Sequence, residues 1–226
     1  MDTMRFDLAA ASLRDVNKAL HASDLTGEVA IDNPKGAHSV AVGLDAPVKV
    51  TVNGHVGYFA AGMNQQAEVT INGNAGTGVA ENMMSGTVVV RGDASQSAGA
   101  TAHGGLLVIE GTAGARCGIS MKGVDIVVGG NVGHNSAFMA QDGRLVIRGN
   151  AGHGLGDSIY ETRIYVGGTV ESLGADCVRK EMRAEHLQEL AGLLKAAGFD
   201  DDPATYTRYG SGRQLYHFDV DNTAAY

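Results

Sequence analysis

The sequence predicts an all-β solenoid, a right-handed parallel β-helix of about seven 19-residue rungs with helical caps at both ends. Three observations carry this. Glycine stands at Gly54, Gly73, Gly92, Gly111, Gly130, Gly149 and Gly168, always 19 residues apart. Four and two residues before each of them only Val, Ile or Leu occurs, from Val50 and Val52 through to Ile164 and Val166. Finally, the 226 residues include 33 Gly but no Trp and only 3 Pro, a balance that fits neither collagen nor a proline-rich linker.

One such unit has a single apolar strand and cannot bury a core alone. Stacked copies can, pairing strand to strand at about 4.8 Å, so that seven units stand roughly 30 Å tall. Right-handed winding follows from the handedness of parallel crossovers.

Residues 1–27 are predicted as a helical cap, because "DLAAASLRDVNKALHAS" places Leu8, Ala11, Val16 and Leu20 near helical spacing. Residues 28–177 form the solenoid. It begins with an imperfect rung, "EVAIDNPKGAH", in which Val29 and Ile31 take the strand positions and Asn33 replaces the glycine, 21 residues before Gly54. In the full rungs Val or Ala follows the glycine by two, and a second glycine follows by three at Gly57, Gly76, Gly114, Gly133 and Gly152. Small residues at Ala60, Ala98, Gly99, Gly118, Ala137, Gly156 and Ala175 let the wall turn tightly.

Residues 178–226 hold a helix and an extended arm. "CVRKEMRAEHLQELAGLLKAAGF" sets Leu187, Leu190, Leu193 and Leu194 on one face, and Gly198 is the expected stop. The closing stretch, with Tyr206, Tyr209, Tyr216 and Tyr226, is expected to lie across the outside. Terminal helices suit a solenoid, whose ends otherwise expose unpaired strand edges.

Thr51, Thr70, Val89, Val108, Val127, Val146 and Tyr165 lie between the two inward positions of successive strands and therefore point outward. An apolar outer stripe needs a cover. The C-terminal segment is the preferred cover and a partner protein the alternative, which makes Val89, Val108, Val127, Val146 and Tyr165 candidate interface residues.

The chemistry-bearing residues are sparse. Lys+Arg 17 against Asp+Glu 25 gives a net charge of −8, which argues against nucleic acid as a partner. No apolar run approaches about 18 residues, so no membrane span is expected, and the opening "MDTMRFDLAAASLRD" points to the cytoplasm. Cys117 and Cys177 form no CxxC and are read as small buried side chains. "GHGLG" after "RLVIRG" mimics the start of a dinucleotide loop, but the next segment, "DSIYETRIYVGG", is another strand where that fold needs a helix.

His134 and His153 each follow a repeat glycine by four and should stack about 5 Å apart. Their equivalents Tyr58, Thr77, Gln96, Ala115 and Ser172 offer no third metal ligand, so a solvated column or an interface is preferred and no metal is expected. Asp157, with Ser158, Glu161 and Arg163, reads as a polar loop or subunit contact, since no histidine is positioned to activate the serine. Asn74, Asp93, Asn131 and Asn150 directly follow repeat glycines and suit turns. No catalytic and no cofactor-binding residue is assigned.

Glycine-punctuated units such as "GDASQSAGATAHGGLLVIEGTAGARCGISMKGVDIVVGGNVG" resemble the GXGXG β-helix domain at the C-terminal end of the glutamate synthase large subunit, over about residues 28 to 177. With the leading "FDLAAASLRDVNKALH" and the closing "GDSIYETRIYVGGTVESLGADC", the chain is most similar to the stand-alone β-helix subunits of N-methylglutamate synthase. Where glutamate synthase domains carry a "GCEYMTGG"-like segment, this chain reads "GHNSAFMAQDG", which favours the methylamine-linked relative.

That resemblance implies a non-catalytic scaffold subunit within a transferase. Its partners would be a class II amidotransferase-like subunit and an FMN-dependent, glutamate-synthase-like subunit, with FMN and the iron–sulfur cluster on the latter. A β-helix subunit of another glutamate-synthase-like or formylmethanofuran-dehydrogenase-like complex is the alternative. A self-contained β-helix enzyme fits less well. Polysaccharide clefts favour aromatic platforms and paired carboxylates, and the hexapeptide acyltransferases have a coil of about 18 residues, out of step with a strict 19.

Overall fold

The structure is a computed structural model, and it describes residues 3–22 and 25–215. Eight parallel strands stack in chain order: β2 (Glu28–Asp32), β3 (Lys49–Asn53), β4 (Glu68–Ile71), β5 (Thr87–Val90), β6 (Leu106–Ile109), β7 (Lys122–Val128), β8 (Asp142–Ile147) and β9 (Arg163–Val166). From β3 onward the register advances by the repeat, Val50 opposite Val69, Val69 opposite Val88, and so on to Leu145 opposite Ile164. The longer first step pairs Val29 with Val50. Both inward columns are buried, from Val29 and Ile31 to Ile164 and Val166.

The second column after the glycine forms a narrower ladder of single parallel bridges, Val56–Ala75–Ala94–Ala113–Val132–Ala151–Val170. The third wall alternates in backbone hand. Phe59, Ala61 and Met63 have φ near +55°, as do Ser97, Gly99 and Thr101 two rungs on, and Asn135, Ala137 and Met139 after that. Left-handed backbone costs a non-glycine residue roughly 1–2 kcal/mol. Hydrogen bonding between rungs offsets that cost: Phe59 N–H donates to Thr77 O, Ala61 N–H to Val40 O and Met63 N–H to Glu81 O, and later rungs repeat the pattern.

The small residues of this wall fall into two columns. Ala60, Ala98 and Cys117 are buried and do not have positive φ, while Gly99, Gly118, Ala137 and Gly156 are the left-handed middle positions. Ala175 is exposed and belongs to neither.

Close approach between rungs, not backbone hand, explains the repeat glycines, of which only Gly54 has positive φ. A Cβ on Gly149 would lie 2.3 Å from Asn131 Oδ1 and 2.7 Å from Gly130 O, and Gly168 would meet Asn150 Oδ1 at 2.3 Å. Asn74, Asp93, Asn131 and Asn150 therefore do bond to backbone, but to the next rung and not to their own turn. Asn74 accepts from Asp93 N–H (3.0 Å), Asp93 from Thr112 N–H (2.8 Å), Asn131 from Asn150 N–H (2.7 Å) and Asn150 from Thr169 N–H (2.8 Å).

The ends are closed by more than helices. A strand, β1 (Met4–Asp7), pairs parallel to β2 ahead of a short helix, α1 (Leu13–Leu20), so Leu8 and Ala11 precede the helix. Ser12 caps α1 by accepting from Asp15 N–H. Val16 and Leu20 are buried against the first rungs. Asn17 then bonds the edge directly, donating to Ser39 O (2.8 Å) and accepting from Ala41 N–H (3.1 Å).

At the other end, the segment expected to open the C-terminal helix is a strand, β10 (Cys177–Lys180), and the helix α2 runs from Ala184 to Ala196. It stops as expected at Gly198, whose φ is +82°, with Gly198 N–H donating to Lys195 O and Phe199 N–H to Leu194 O. A one-turn 3-10 helix (Pro203–Thr205) leads into β11 (Thr207–Ser211), which inserts antiparallel between β9 and β10. The expected outer arm is thus drawn into the sheet over Thr207–Ser211; Tyr216 and Tyr226 lie outside the described residues.

Candidate interaction surface

The outward column divides in two. Thr51, Thr70 and Val89 are half-buried, whereas Val108 is 2% exposed and Val127, Val146 and Tyr165 are fully buried. The cover is the chain itself. Val127, Val146 and Tyr165 pack against Leu190, Leu193 and Leu194 of α2 and against Tyr206; Leu187, expected on the same face, is half-buried.

A polar network pins this cover. Glu189 of α2 accepts from Arg163 Nε and Nη2 (both 2.9 Å), from Arg144 Nη1 (3.1 Å) and from the Tyr165 hydroxyl (2.6 Å). Arg144 also donates to Asp125 (Nη2 to Oδ2, 2.6 Å). Burial alone would raise the Glu189 carboxyl, but the bonds from Arg163, Tyr165 and Arg144 outweigh it and hold the group below its ordinary 4.5. Beyond the helix, Arg148 grips Asp201 with Nε (2.6 Å) and Nη2 (3.0 Å) while its guanidinium lies 4.1 Å from the Phe199 ring centroid.

The sequence carried a signal for this docking. Gly129 and Gly167 occupy the column that Arg91, Glu110 and Arg148 fill elsewhere. A Cβ on Gly129 would meet Glu110 O at 2.2 Å and the Phe199 ring at 3.2 Å, and one on Gly167 would meet Arg148 O at 2.8 Å and the Tyr206 ring at 3.2 Å, so these glycines admit both the preceding rung and the C-terminal segment. Asp125, Arg144 and Arg163 likewise share one column, 19 apart.

The polar candidates are not gathered into one site. His134 and His153 are exposed on adjacent rungs; His153 Nδ1 lies 2.7 Å from Ser172 Oγ. Asp157 accepts from its neighbour Ser158 (2.7 Å). No group of three His, Cys, Asp or Glu side chains able to hold a metal occurs among the described residues. Cys117 and Cys177 are buried, and burial pushes both thiols up to about 12. No helix among the described residues is long and apolar enough to cross a membrane.

Several large apolar side chains are uncovered among the described residues, and three of them lie together. Tyr58, Phe59 and Met63 are 52%, 45% and 51% exposed, with Tyr58 stacked on His38 at 4.5 Å between ring centroids and Phe59 edge-on to Tyr58 at 6.4 Å. Phe59 and Met63 line a groove of about 230 Å³ with Ser39, Val42, Gly62, Glu81 and Asn82. This patch shares its outer column with His134 and His153. The equivalents of Tyr58, Phe59 and Met63 on the next two rungs are Thr77, Gly78 and Asn82, then Gln96, Ser97 and Thr101. Breaking the repeat toward apolar residues was the signal that sequence reading passed over.

Protein GlxC of Rhizobium meliloti is 61% identical to this chain over 226 residues, spanning 97% of this chain and 98% of that protein. No family model matches the chain. No solved structure matches it.

Proposed function

The chain belongs to the GlxC family, and from that premise we propose that it is the non-catalytic scaffold subunit of an N-methylglutamate synthase, an enzyme making N-methylglutamate and ammonia from glutamate and methylamine. On this reading it bridges a class II amidotransferase-like subunit and an FMN- and iron–sulfur-bearing synthase subunit, and the cofactor chemistry resides on the latter. The observation that carries the proposal is the exposed Tyr58–Phe59–Met63 patch on a wall whose backbone is bonded rung to rung. A rigid wall presenting apolar anchors suits a surface that holds partners in fixed relation.

The test is affinity purification of the chain from its native source, with co-purifying proteins read by mass spectrometry and flavin and iron–sulfur absorbance recorded. The expected result is recovery of both partner chains, coloured, with glutamate-dependent methylamine turnover. Molybdenum or tungsten in place of flavin would move the chain to the formylmethanofuran-dehydrogenase-like alternative. A colourless chain recovered alone and active on some substrate would overturn the scaffold reading.

A further inference from the structure

Where β9, β10, β11 and the start of α2 meet, they line an open pocket of about 310 Å³. Arg163, Lys180, Arg183, Arg208 and Arg213 line it, against the single carboxylate of Glu161. This density of cations is unusual in a chain of net charge −8.

Part of the charge is already neutralised. Arg213 is held by both Glu161 oxygens (2.9 Å each), Arg163 by Glu189, and Arg183 lies 3.3 Å from Glu181 and 3.6 Å from Glu185. Lys180 and Arg208 are different. Neither meets a carboxylate at ion-pair distance among the described residues, and Arg208 spends only its Nε, on Glu181 O (2.9 Å). They are also direct cross-strand partners, Lys180 on β10 opposite Arg208 on β11. Like charges placed opposite each other in an antiparallel pair oppose folding.

Two further features point the same way. The residue capping the N-terminus of the 13-residue α2 is Arg183, a cation at the positive end of the helix dipole, where an anion or a hydroxyl is the stabilising choice. Thr162, 1% exposed, also lines the pocket, and its buried hydroxyl has no hydrogen-bond partner among the described residues. Burial, together with the neighbouring Arg183 and Arg163, holds Arg208 below the ordinary arginine range. A bound anion would offset the like-charge pairing of Lys180 with Arg208 and partner the charge that neither shares with a carboxylate.

We propose that this pocket is a binding site for a phosphoryl group, either on a small phosphorylated molecule or as a free phosphate-type anion. The donors converge from the end of β10, from β11, from the loop after it and from the start of α2. A tetrahedral polyanion accepts from several such directions at once, whereas one planar carboxylate engages a single guanidinium fork. A bound phosphoryl group would tie these four elements together where the solenoid ends.

The test is calorimetric titration of the full chain with pyrophosphate at low ionic strength, with inorganic phosphate and succinate as parallel arms. Binding of pyrophosphate tighter than about 1 mM is expected, with Arg208→Gln and Lys180→Gln each weakening it by about tenfold, or about 1.4 kcal/mol. Arg208→Lys should retain most of the affinity, which separates lost charge from lost folding, and Arg5→Gln at the far end should change nothing. Comparable binding of inorganic phosphate would identify the free anion as a sufficient ligand, and a clear preference for pyrophosphate would point to a phosphorylated molecule. Succinate binding as tightly as pyrophosphate would overturn the phosphoryl assignment. Absence of pyrophosphate binding, or binding untouched by both Gln variants, would overturn the site.

Discussion

Replacing Glu189 with alanine removes the acceptor on which Arg144, Arg163 and Tyr165 converge. Arg144 keeps Asp125, so the loss falls mainly on the two bonds from Arg163 and the one from Tyr165. Hydrogen bonds to a charged partner contribute about 1.5–3 kcal/mol each. The Arg163 side chain is 36% exposed and recovers water, which brings the expected cost to about 3 kcal/mol for holding α2 on the solenoid. The readout is local: with fast reclosing, proteolysis within α2 should accelerate roughly 10²-fold, while amides of β3 to β6 keep their exchange protection. The carboxyl's depressed folded pKa gives a second readout. Its contribution is complete above its ordinary 4.5 and is lost as pH falls through the lower folded value, so acid should loosen α2 in the parent and add little in Glu189→Ala. Unchanged proteolysis of α2 in the variant would refute the reasoning, because packing on Val127, Val146 and Tyr165 would then suffice.

Gly149→Ala should destabilise the chain by about 3 kcal/mol or more in urea melts, because its Cβ meets Asn131 and Gly130 below 3 Å. Gly192→Ala, in α2 with open space around its Cβ position, should instead raise stability by roughly 0.5–1 kcal/mol. Cys117 and Cys177 should resist a thiol reagent at pH 8 until denaturant is added, and rapid native labelling would contradict their burial. Phe59→Ser with Met63→Ser should leave the melting midpoint within a few degrees yet abolish recovery of the partner chains, and full recovery would move the interface off this face.

The rungs were legible because glycine, Val and Ile recur at fixed offsets from one another, and a parallel ladder demands that recurrence. The inward columns and the 21-residue first step follow from it, and the stop at Gly198 follows from the leucine spacing of α2 and the glycine after it. What escaped were the places where distant segments meet. Helical spacing at Leu8 and Ala11 did not reveal that Met4–Asp7 is drawn into pairing with β2, because an open edge overrides local pattern. Cys177–Lys180 read as the beginning of α2 for the same reason: its strand state is imposed by Thr207–Ser211. Glu189 looked like any acid on the polar side of a helix, and only the docked geometry sets it against Arg144 and Arg163. The cations of the pocket are scattered from Arg163 to Arg213 in sequence and converge only once β11 is inserted.

From Gly54 to Gly149 the side chain that follows the repeat glycine accepts from the N–H after the glycine of the next rung, and from Asn74 onward it also occupies the space that glycine leaves. His55, Asn, Asp and Thr all serve, since the position asks only for an acceptor within reach. Every rung therefore offers its successor the same socket that it received from its predecessor. A cut and rejoining at equivalent points 19 residues apart would leave each socket filled, and would shift whatever is carried at the two ends by one strand spacing, about 4.8 Å. The distance between the Tyr58 face and α2 is thus set in whole steps, so that duplication or loss of a unit changes that distance without altering either end.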